Sequence, residues 1–414
     1  PFPRDPATID AVVLTHAHLD HCGYLPALVR DGYEGPVYCT PNSAELVAIV
    51  LRDSARLQEE DTAYAKKKGY SRHAQPRPLY DSEDAERALG LIQTVDFDTP
   101  FHPAEGFTAT FTPAGHILGA AILTVLTDEG KSIVFSGDLG RDNHPLLDAP
   151  AHPVHADALV LESTYGDRDH ESEAAGLERL ADAIRRTIQR GGTVVIPAFA
   201  VDRTEVILKA LRDLMGQQRI PQVPIHVDSP MALAALEVYR QAIADGDSEI
   251  RSGIVAAGPD CIVPPDVHAA STPEQSMLLD RGGKHIIVSA SGMGTGGRVV
   301  HHLKAVLPRP ECTVILAGFQ AVGTPGRMLL EGAQQIKFHG SYIRVRAEIV
   351  DIGSFSVHAD ADELIEWLGF MSPLPAQVFV NHGEPEAAAA LAQRIEDELD
   401  VVAVIPDQGE RVRV

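Results

Sequence analysis

Three histidines and one aspartate follow directly after a short apolar run near the start of the chain. They are His16, His18, Asp20 and His21, and the run before them, residues 9–14, is rich in β-branched residues, as a buried strand would be. Imidazole nitrogens and carboxylate oxygens are ligands of zinc and similar divalent ions. Four such side chains within six residues cannot all turn into an apolar core. We therefore expect a metal site at the end of this strand.

Three later segments place the same kinds of side chain at strand ends. His116 follows a predicted strand, Asp138 follows one at residues 132–135, and His382 follows one at residues 377–380. An aspartate after an apolar strand is costly unless it is exposed or paired with a cation. Each of these residues alone could be an ordinary loop residue. Together they indicate that several strand ends contribute to one site.

Length and composition bound the class of protein. The chain has 414 residues, which is enough for two or more domains with large cores. No apolar run approaches the roughly 18 residues that cross a bilayer, and no secretory signal is evident. The four cysteines are far apart and include no Cys-x-x-Cys pair, which indicates reduced, buried thiols. We expect a cytoplasmic globular protein without a membrane partner.

The formal net charge is −23, from 58 acidic and 35 basic residues. Such a charge repels phosphate at long range, so a polynucleotide partner would need a local basic surface and bound cations. A solubilising acidic surface is the simpler interpretation. One basic run stands out in the first half of the chain, and we interpret it as a solvated loop in preference to an RNA contact: Lys66, Lys67, Lys68, Arg72 and Arg77.

Secondary-structure patterns divide the chain into two kinds of region. Four strand-like segments in the first part favour a mostly antiparallel sheet: residues 107–112, 121–126, 132–135 and 158–161. From about Glu171, helical and strand-like segments alternate as in a doubly wound α/β domain, with helix starts predicted at Ser229-Pro230 and Thr272-Pro273. After about Val350 the chain again contains histidines in the same kind of sequence context as in the first part. This order predicts a second domain inserted into the first.

The His-x-His-x-Asp-His pattern of residues 16–21 resembles the signature of the metallo-β-lactamase superfamily, which hosts many chemistries. The resemblance assigns ligands to two zinc ions: His16, His18 and His116 to one, Asp20, His21 and His382 to the other, and Asp138 to both. Seven ligands leave room for a water or hydroxide, as a catalytic site requires. A metal pair about 3.5–4 Å apart lowers the pKa of that water and stabilises an in-line displacement at phosphorus.

Two further segments are similar to motifs of the β-CASP nucleases. Residues 160–166 end a strand at Glu162, residues 355–360 contain His358, and with His382 they match motifs A, B and C. In that family a domain is inserted between A and B, and histidine at motif C marks RNA-processing members, whereas DNA-repair members carry valine. The resemblance covers nearly the whole chain, including residues 197–203, 228–232 and 291–298.

The expected fold class is therefore α/β, an αββα metallo-β-lactamase sandwich with an inserted doubly wound β-CASP domain. The predicted boundaries are residues 1–168 and 351–414 for the sandwich and 169–350 for the insertion. A β-hairpin that ends in a supporting aspartate precedes the metal signature in the superfamily, whereas here the first strand follows soon after Pro1. We expect that the numbered chain lacks this hairpin.

The resemblance implies a zinc-dependent ribonuclease that cuts single-stranded RNA between its domains and leaves a 5′-phosphate and a 3′-hydroxyl. The expected catalytic residues are Asp20, Glu162 and His358, with His358 protonating the departing ribose oxygen and Glu162 orienting it. A structural ion pair between Glu162 and His358 is the alternative. A predicted capping box, Asp360 with Glu363, would place His358 just outside a helix N-terminus, whose dipole opposes the effect of Glu162 on its pKa.

A glycine-rich turn at residues 289–298 precedes another predicted helix and offers backbone N–H groups and an arginine to a phosphate. We assign Ser291, Gly292 and Arg298 as candidate substrate phosphate-binding residues. The turn matches neither a Walker loop nor a dinucleotide fingerprint, so we infer no nucleotide cofactor.

Several alternatives remain open. The short C-terminal segment favours an endonuclease over a 5′–3′ exonuclease of the same family. The inserted domain and the Glu162 and His358 pair argue against a small-molecule thioester or lactone hydrolase. The filled ligand positions argue against a non-catalytic RNA-binding scaffold. A homodimer is compatible with the sequence, although no segment identifies an interface.

Overall fold

The computed structural model describes residues 2–68, 75–270 and 272–413, so Arg72 of the predicted basic run lies outside the described residues. Contacts divide the chain into two compact units. The first contains the residues up to Asp169 and those from His358 onward, and the second contains His170–Val357. The four cysteines are free. Within the described residues, no helix is both long enough and apolar enough to span a membrane.

The first unit begins with a series of short strands and four helices. In chain order they are a 3-10 helix (Pro6–Thr8), β1 (Val12–Val13), α1 (Leu19–Cys22), α2 (Leu25–Arg30), β2 (Val37–Cys39), α3 (Pro41–Lys68), α4 (Ser82–Leu89), β3 (Ile92–Thr94), β4 (Phe101–Ala104), β5 (Phe107–Pro113), β6 (Ala121–Thr127), β7 (Ser132–Phe135) and β8 (Ala158–Glu162). The strand predicted at residues 9–14 is shorter, because β1 pairs with β2 at two positions only. Lys66 and Lys67 are exposed on α3, so the start of the basic run is solvated as expected but is helical and not a loop.

The second unit alternates helices and strands, as the sequence predicts. It contains α5 (Glu173–Gln189), β9 (Val194–Pro197), α6 (Arg203–Gly216), β10 (Ile225–Val227), α7 (Pro230–Asp245), α8 (Ser252–Ala257), a 3-10 helix (Pro259–Ile262), β11 (Val267–Ala269), α9 (Pro273–Leu279), β12 (Ile286–Ser289), α10 (Val299–Val306), β13 (Thr313–Ala317), α11 (Pro325–Leu330), β14 (Gln335–Phe338), β15 (Ser341–Arg344), β16 (Glu348–Ile352) and a 3-10 helix (Gly353–Phe355).

Six strands of the second unit form a parallel sheet in the order β11-β10-β12-β9-β13-β16, which is a doubly wound arrangement. The remaining two, β14 and β15, form a separate antiparallel hairpin. The domain boundary predicted at residue 350 falls inside β16. Because β16 pairs with β13 along its whole length, the second unit extends beyond that boundary to Val357.

The chain then returns to the first unit with α12 (Ala361–Gly369), β17 (Gln377–Asn381), α13 (Pro385–Leu399) and β18 (Val402–Val404). This unit has a parallel three-stranded sheet, β1-β2-β3, and a seven-stranded sheet in the order β18-β17-β8-β7-β6-β5-β4. Among the four strands predicted here, β5–β6 and β6–β7 are antiparallel as expected and β7–β8 is parallel. The whole sheet is mixed, because β17 and β18 also pair in parallel.

Side chains from the two sheets meet in a common core. Phe101, Phe111 and Leu123 of the larger sheet pack with Val13 and Tyr38 of the smaller one. Helices α12 and α13 pack together and α13 covers β17 and β18, while α3 packs against β3 on the smaller sheet. These layers give the αββα sandwich that the sequence predicts.

Candidate metal centre

Strand direction brings the predicted metal ligands together at one edge of the larger sheet. Strands β5 and β7 both pair antiparallel with β6, and β7, β8 and β17 are parallel, so β5, β7, β8 and β17 all run the same way. Their carboxyl ends therefore lie at the same edge. The chain continues from these four ends to His116, Asp138, Glu162 and His382. A backbone hydrogen bond from Ala121 N to Thr15 O, 2.9 Å long, brings the segment after β1 to this edge.

The first ligand group combines His16, His18, His116 and Asp138, whose candidate ligand atoms all lie within 4.8 Å of one another. His116 Nε2 is 3.2 Å from His18 Nδ1. Asp138 Oδ2 is 3.3 Å from His16 Nε2 and 3.6 Å from His116 Nε2. This is the set that the sequence assigns to one ion, together with the predicted bridging aspartate.

The second ligand group combines Asp20, His21 and His382. His21 Nε2 is 3.2 Å from His382 Nε2, and Asp20 Oδ2 is 3.4 Å from His382 Nε2. Asp138 contacts this group as well, because its Oδ2 is 3.4 Å from His21 Nε2 and its Oδ1 is 3.2 Å from His382 Nδ1. Asp138 thus lies between the two groups. The side chain of Asp20 is 65% exposed, so this second group borders solvent.

The chemistry of these residues fits divalent ions. Neighbouring ring nitrogens 3.2 Å apart match the about 3.3 Å edge of a tetrahedron with about 2.0–2.1 Å zinc–nitrogen bonds. His16 Nε2 and Asp138 Oδ1 are buried and form no hydrogen bond within the described part of the chain. Burial lowers the pKa of His16 and, to about 3, that of His18. These two imidazoles are therefore neutral, which is the form that binds a metal.

Local backbone geometry positions His382. It has φ +55°, a left-handed conformation that a histidine adopts at a cost. A Cβ on the following Gly383 would lie 2.5 Å from the carbonyl oxygen of Ser163, so only glycine permits this close approach of β17 to β8. Thr164 Oγ1 donates a 3.2 Å hydrogen bond to the carbonyl oxygen of His382 and lies 3.3 Å from its Nδ1.

Glu162 and His358 form a pair beside the first ligand group. His358 Nδ1 lies 3.1 and 3.2 Å from the two Glu162 carboxylate oxygens, and its ring centroid is 4.4 Å from that of His116. Glu162 Oε1 also accepts a 2.7 Å hydrogen bond from Leu139 N. Burial opposes protonation of His358, but the Glu162 carboxylate outweighs it and raises the pKa of His358. The net pKa shift of His358 is therefore in the direction of the Glu162 effect, which favours the protonated ring.

The helix after His358 holds this segment in place. The capping box predicted from the sequence is confirmed, since Asp360 accepts a hydrogen bond from Glu363 N and Glu363 accepts one from Asp360 N at the start of α12. Arg141 Nε lies 3.1 Å from the Glu363 carboxylate and joins the loop after Asp138 to the same helix.

Three polar residues that support the ligand groups were not predicted from the sequence. Thr15 Oγ1 lies 3.1 Å from His16 Nδ1, Thr164 contacts His382, and Arg141 ties down the segment after Asp138. Second partners of this kind set the orientation of metal-binding histidines. Thr15 and Thr164 are each within two residues of a predicted site residue, which is the signal that could have identified them. Arg141 depends on a partner more than 200 positions away in sequence.

The predicted phosphate-binding residues belong to the second unit, and the structure places them in contacts of their own. Thr295 N donates a 3.1 Å hydrogen bond to Ser291 Oγ within the turn. A Cβ on Gly292 would lie 3.0 Å from Phe199 N, so this glycine allows the turn to pack against the end of β9. These contacts give both residues a role in shaping the turn.

Arg298 is held by a buried polar network. Its Nη1 donates a 2.7 Å hydrogen bond to Asp228 Oδ1, and its side chain is 24% exposed. His302 lies between two carboxylates, with Nε2 2.6 Å from Asp228 Oδ2 and Nδ1 2.7 Å from Asp280 Oδ1. Ser276 Oγ donates to Asp228. We call these five residues the Asp228 network.

Comparison with known proteins agrees with this architecture. The β-lactamase superfamily domain matches residues 1–221, the β-CASP domain matches residues 204–329, and the Zn-dependent metallo-hydrolase RNA specificity domain matches residues 342–406. Ribonuclease TTHA0252 from Thermus thermophilus is 35% identical over 394 residues, which are 95% of this chain and 85% of that protein. The chain belongs to the β-CASP metallo-β-lactamase ribonuclease family. The predicted family and fold class are thereby confirmed.

Other β-CASP relatives differ in length and in name. An RNase J-like protein from Methanocaldococcus jannaschii is 32% identical over 408 residues, covering 98% of this chain and 89% of that protein. Transcription termination factor FttA from Methanosarcina mazei is 31% identical over 407 residues, covering 95% of this chain. The chain spans only 61% of that archaeal factor, so its name describes a longer protein.

Proposed function

We propose that this chain is a zinc-dependent endoribonuclease that hydrolyses phosphodiester bonds of single-stranded RNA. The observation that carries the proposal is the convergence of two ligand groups on Asp138 with the Glu162 and His358 pair beside them. Family membership supports RNA as the substrate, as do the match to an RNA specificity domain and the relatives named ribonucleases. The metallo-β-lactamase fold and its metal site alone would not identify the substrate, because this fold hosts many chemistries.

We propose two zinc ions at the ligand groups, in agreement with the Zn-dependent family match. His16, His18 and His116 would hold one ion, Asp20, His21 and His382 the other, and Asp138 would contact both. Bound there, the ions would supply Lewis-acid stabilisation and a water of lowered pKa. The groups border solvent on the side of Asp20, where a phosphodiester can approach.

His358 would supply the proton that the leaving group needs. In hydrolysis, a water oxygen bonds to phosphorus, the bond from phosphorus to the 3′ oxygen breaks, and a proton passes to that oxygen, leaving a 5′-phosphate and a 3′-hydroxyl. Glu162 holds His358 at Nδ1, so Nε2 is the nitrogen from which the proton departs. The raised pKa of His358 keeps this proton in place until it is transferred. Glu162 would act as a positioning residue, because it contacts His358 and acts through that ring.

Cleavage of one linear and one circular single-stranded RNA of the same sequence tests the proposal. We expect zinc-loaded protein to cut both RNAs, and a chelator to abolish both cuts with recovery on adding zinc back. Cutting of the linear RNA alone would replace the endonuclease by a 5′–3′ exonuclease. Cutting of neither RNA, with hydrolysis of a thioester or lactone, would contradict the ribonuclease function.

A further inference from the structure

The hairpin β14–β15 presents an exposed face that combines an aromatic ring with basic side chains. Residues two apart on a strand share a face, so Tyr342 and Arg344 point the same way on β15, and Arg346 follows two residues after the strand ends. Lys337 is the cross-strand partner of Tyr342 and lies on that face as well. All four are exposed, and Tyr342 is 66% exposed. On the opposite face, Ile336 is buried in a cluster with other apolar side chains.

This face lies in a part of the chain whose charge is opposite to that of the whole. Residues 297–347 contain seven lysines and arginines but only two glutamates and no aspartate, whereas the chain as a whole has a net charge of −23. One of those glutamates, Glu331, is already paired with Arg327 at 2.7 Å. The hairpin is therefore a local basic surface of the kind that a polynucleotide partner of an acidic protein requires.

The basic groups of the face are available to a ligand. Among the residues that the structure describes, no carboxylate pairs with Lys337, Arg344 or Arg346 within 4.0 Å, although most arginines elsewhere in the same unit form such pairs. Lys337 Nζ lies 5.7 Å from the centre of the Tyr342 ring, which is within the range of a cation–π contact. Tyr342 remains 66% exposed beside this contact.

We propose that the exposed face of β14–β15 is a binding site for single-stranded RNA, with a base stacked on Tyr342 and phosphates contacted by Lys337, Arg344 and Arg346. An aromatic ring flanked by cations suits a single strand, whose bases are unpaired and whose phosphates are spaced along its length. An acidic protein segment would use the cations but gains little from the ring. The inference rests on the proposed ribonuclease function and adds to it a substrate contact other than the metal ligands.

Equilibrium binding of a fluorescent single-stranded RNA, measured by anisotropy at several salt concentrations, tests the site. Tyr342→Ala should weaken binding about tenfold, because stacking is worth about 1–3 kcal/mol per base, and Tyr342→Phe should bind like the parent. The pair Lys337→Gln and Arg344→Gln should lower the slope of log K against log salt by about 1.4, or about 0.7 for each lost phosphate contact. Exposed substitutions of this kind leave folding nearly unchanged, and the melting temperature checks this.

The pair Arg411→Gln and Arg413→Gln is the matched control, since it removes the same charge from exposed positions in the first unit. Hydrolysis of bis(p-nitrophenyl) phosphate should stay unchanged in all hairpin variants. Parent-like RNA binding by Tyr342→Ala, or an equal loss of slope in the control pair, would overturn the hairpin site while the parent still cuts RNA. Failure of the zinc-loaded parent to bind and cut RNA would instead overturn the proposed function and the hairpin site with it.

Discussion

Two clusters, one in each unit of this protein, place histidines beside aspartates, but in the first the ring nitrogens also face one another. In the first unit, His21 and His382, and likewise His18 and His116, approach one another nitrogen to nitrogen at 3.2 Å. In the Asp228 network of the second unit, both nitrogens of His302 face carboxylates, at 2.6 and 2.7 Å. Ring nitrogens of the first cluster face both Asp138 and one another, whereas those of His302 face carboxylates only.

The difference shows in how protons are held. Burial lowers the pKa of His16 and His116, and that of His18 to about 3, so the first ligand group holds lone pairs in need of a cation. Burial also opposes protonation of His302, but hydrogen bonds to Asp228 and Asp280 raise its pKa to about 9. A proton thus completes the Asp228 network. The chemistry of a buried histidine is decided by its neighbours, and the following predictions test this contrast, from the largest effect to the smallest.

Asp138→Asn should have the largest effect on turnover. Asp138 contacts four ligand histidines, and the substitution removes the negative charge that would offset two cations. A loss of several kcal/mol of transition-state stabilisation corresponds to at least about 10³-fold lower kcat on RNA. A kcat within tenfold of the parent's kcat would show that the reaction takes place at a site other than the one around Asp138. The unfolding transition of the second unit should not change.

His358→Ala should lower kcat on RNA by about 10²–10⁴-fold, the usual contribution of a general acid. Zinc content should remain as in the parent, which separates this variant from a lost ligand. His102→Ala, at an exposed histidine of the same unit, is the control. Unchanged turnover in His358→Ala would leave the Glu162 contact as a structural ion pair only.

His302→Gln should destabilise the second unit by about 3–5 kcal/mol, since removing one partner leaves a buried carboxylate with less compensation. Zinc content and the unfolding of the first unit should not change. Chemical denaturation followed by circular dichroism measures the effect, and His301→Gln, at the adjacent exposed histidine, is the control. Equal stability of the two variants would show that the proton on His302 contributes little.

The pH dependence of stability gives a separate test of the same proton. The folded pKa of His302, about 9, lies above the ordinary histidine pKa of 6.5, so its stabilisation is complete below pH 6.5 and is lost as the pH rises through 9. Asp228, Asp280 and Arg298 are the charged groups that face this network. The difference in unfolding free energy between the parent and His302→Gln should therefore shrink by about 3 kcal/mol from pH 6.5 to pH 10. A constant difference over this range would contradict the raised pKa.

Arg298→Gln should have the smallest effect of the series. Because Arg298 is engaged by Asp228, its loss should cost about 1–3 kcal/mol of stability in the second unit and leave the salt slope of RNA binding unchanged. A slope lowered by about 0.7 with unchanged stability would restore Arg298 as a phosphate contact.

Local signals in the sequence predicted much of this site. The ligand residues stand directly after apolar strands, and the Asp360 and Glu363 capping box needs only four adjacent positions, so both could be recognised without knowledge of the fold. Strand directions could not be recognised from local sequence, because the parallel pairing of β8 with β17 joins segments more than 200 residues apart. The partners of Arg298 were missed for the same reason, since Asp228 lies 70 positions away.

The most direct test of the contrast between the two clusters is the zinc content per chain, measured by inductively coupled plasma mass spectrometry after dialysis. We predict about two zinc ions in the parent and in His302→Gln, and clearly fewer in Asp138→Asn. Parent protein that retains no zinc after loading, or Asp138→Asn that retains as much as the parent, would contradict a dinuclear centre built around Asp138.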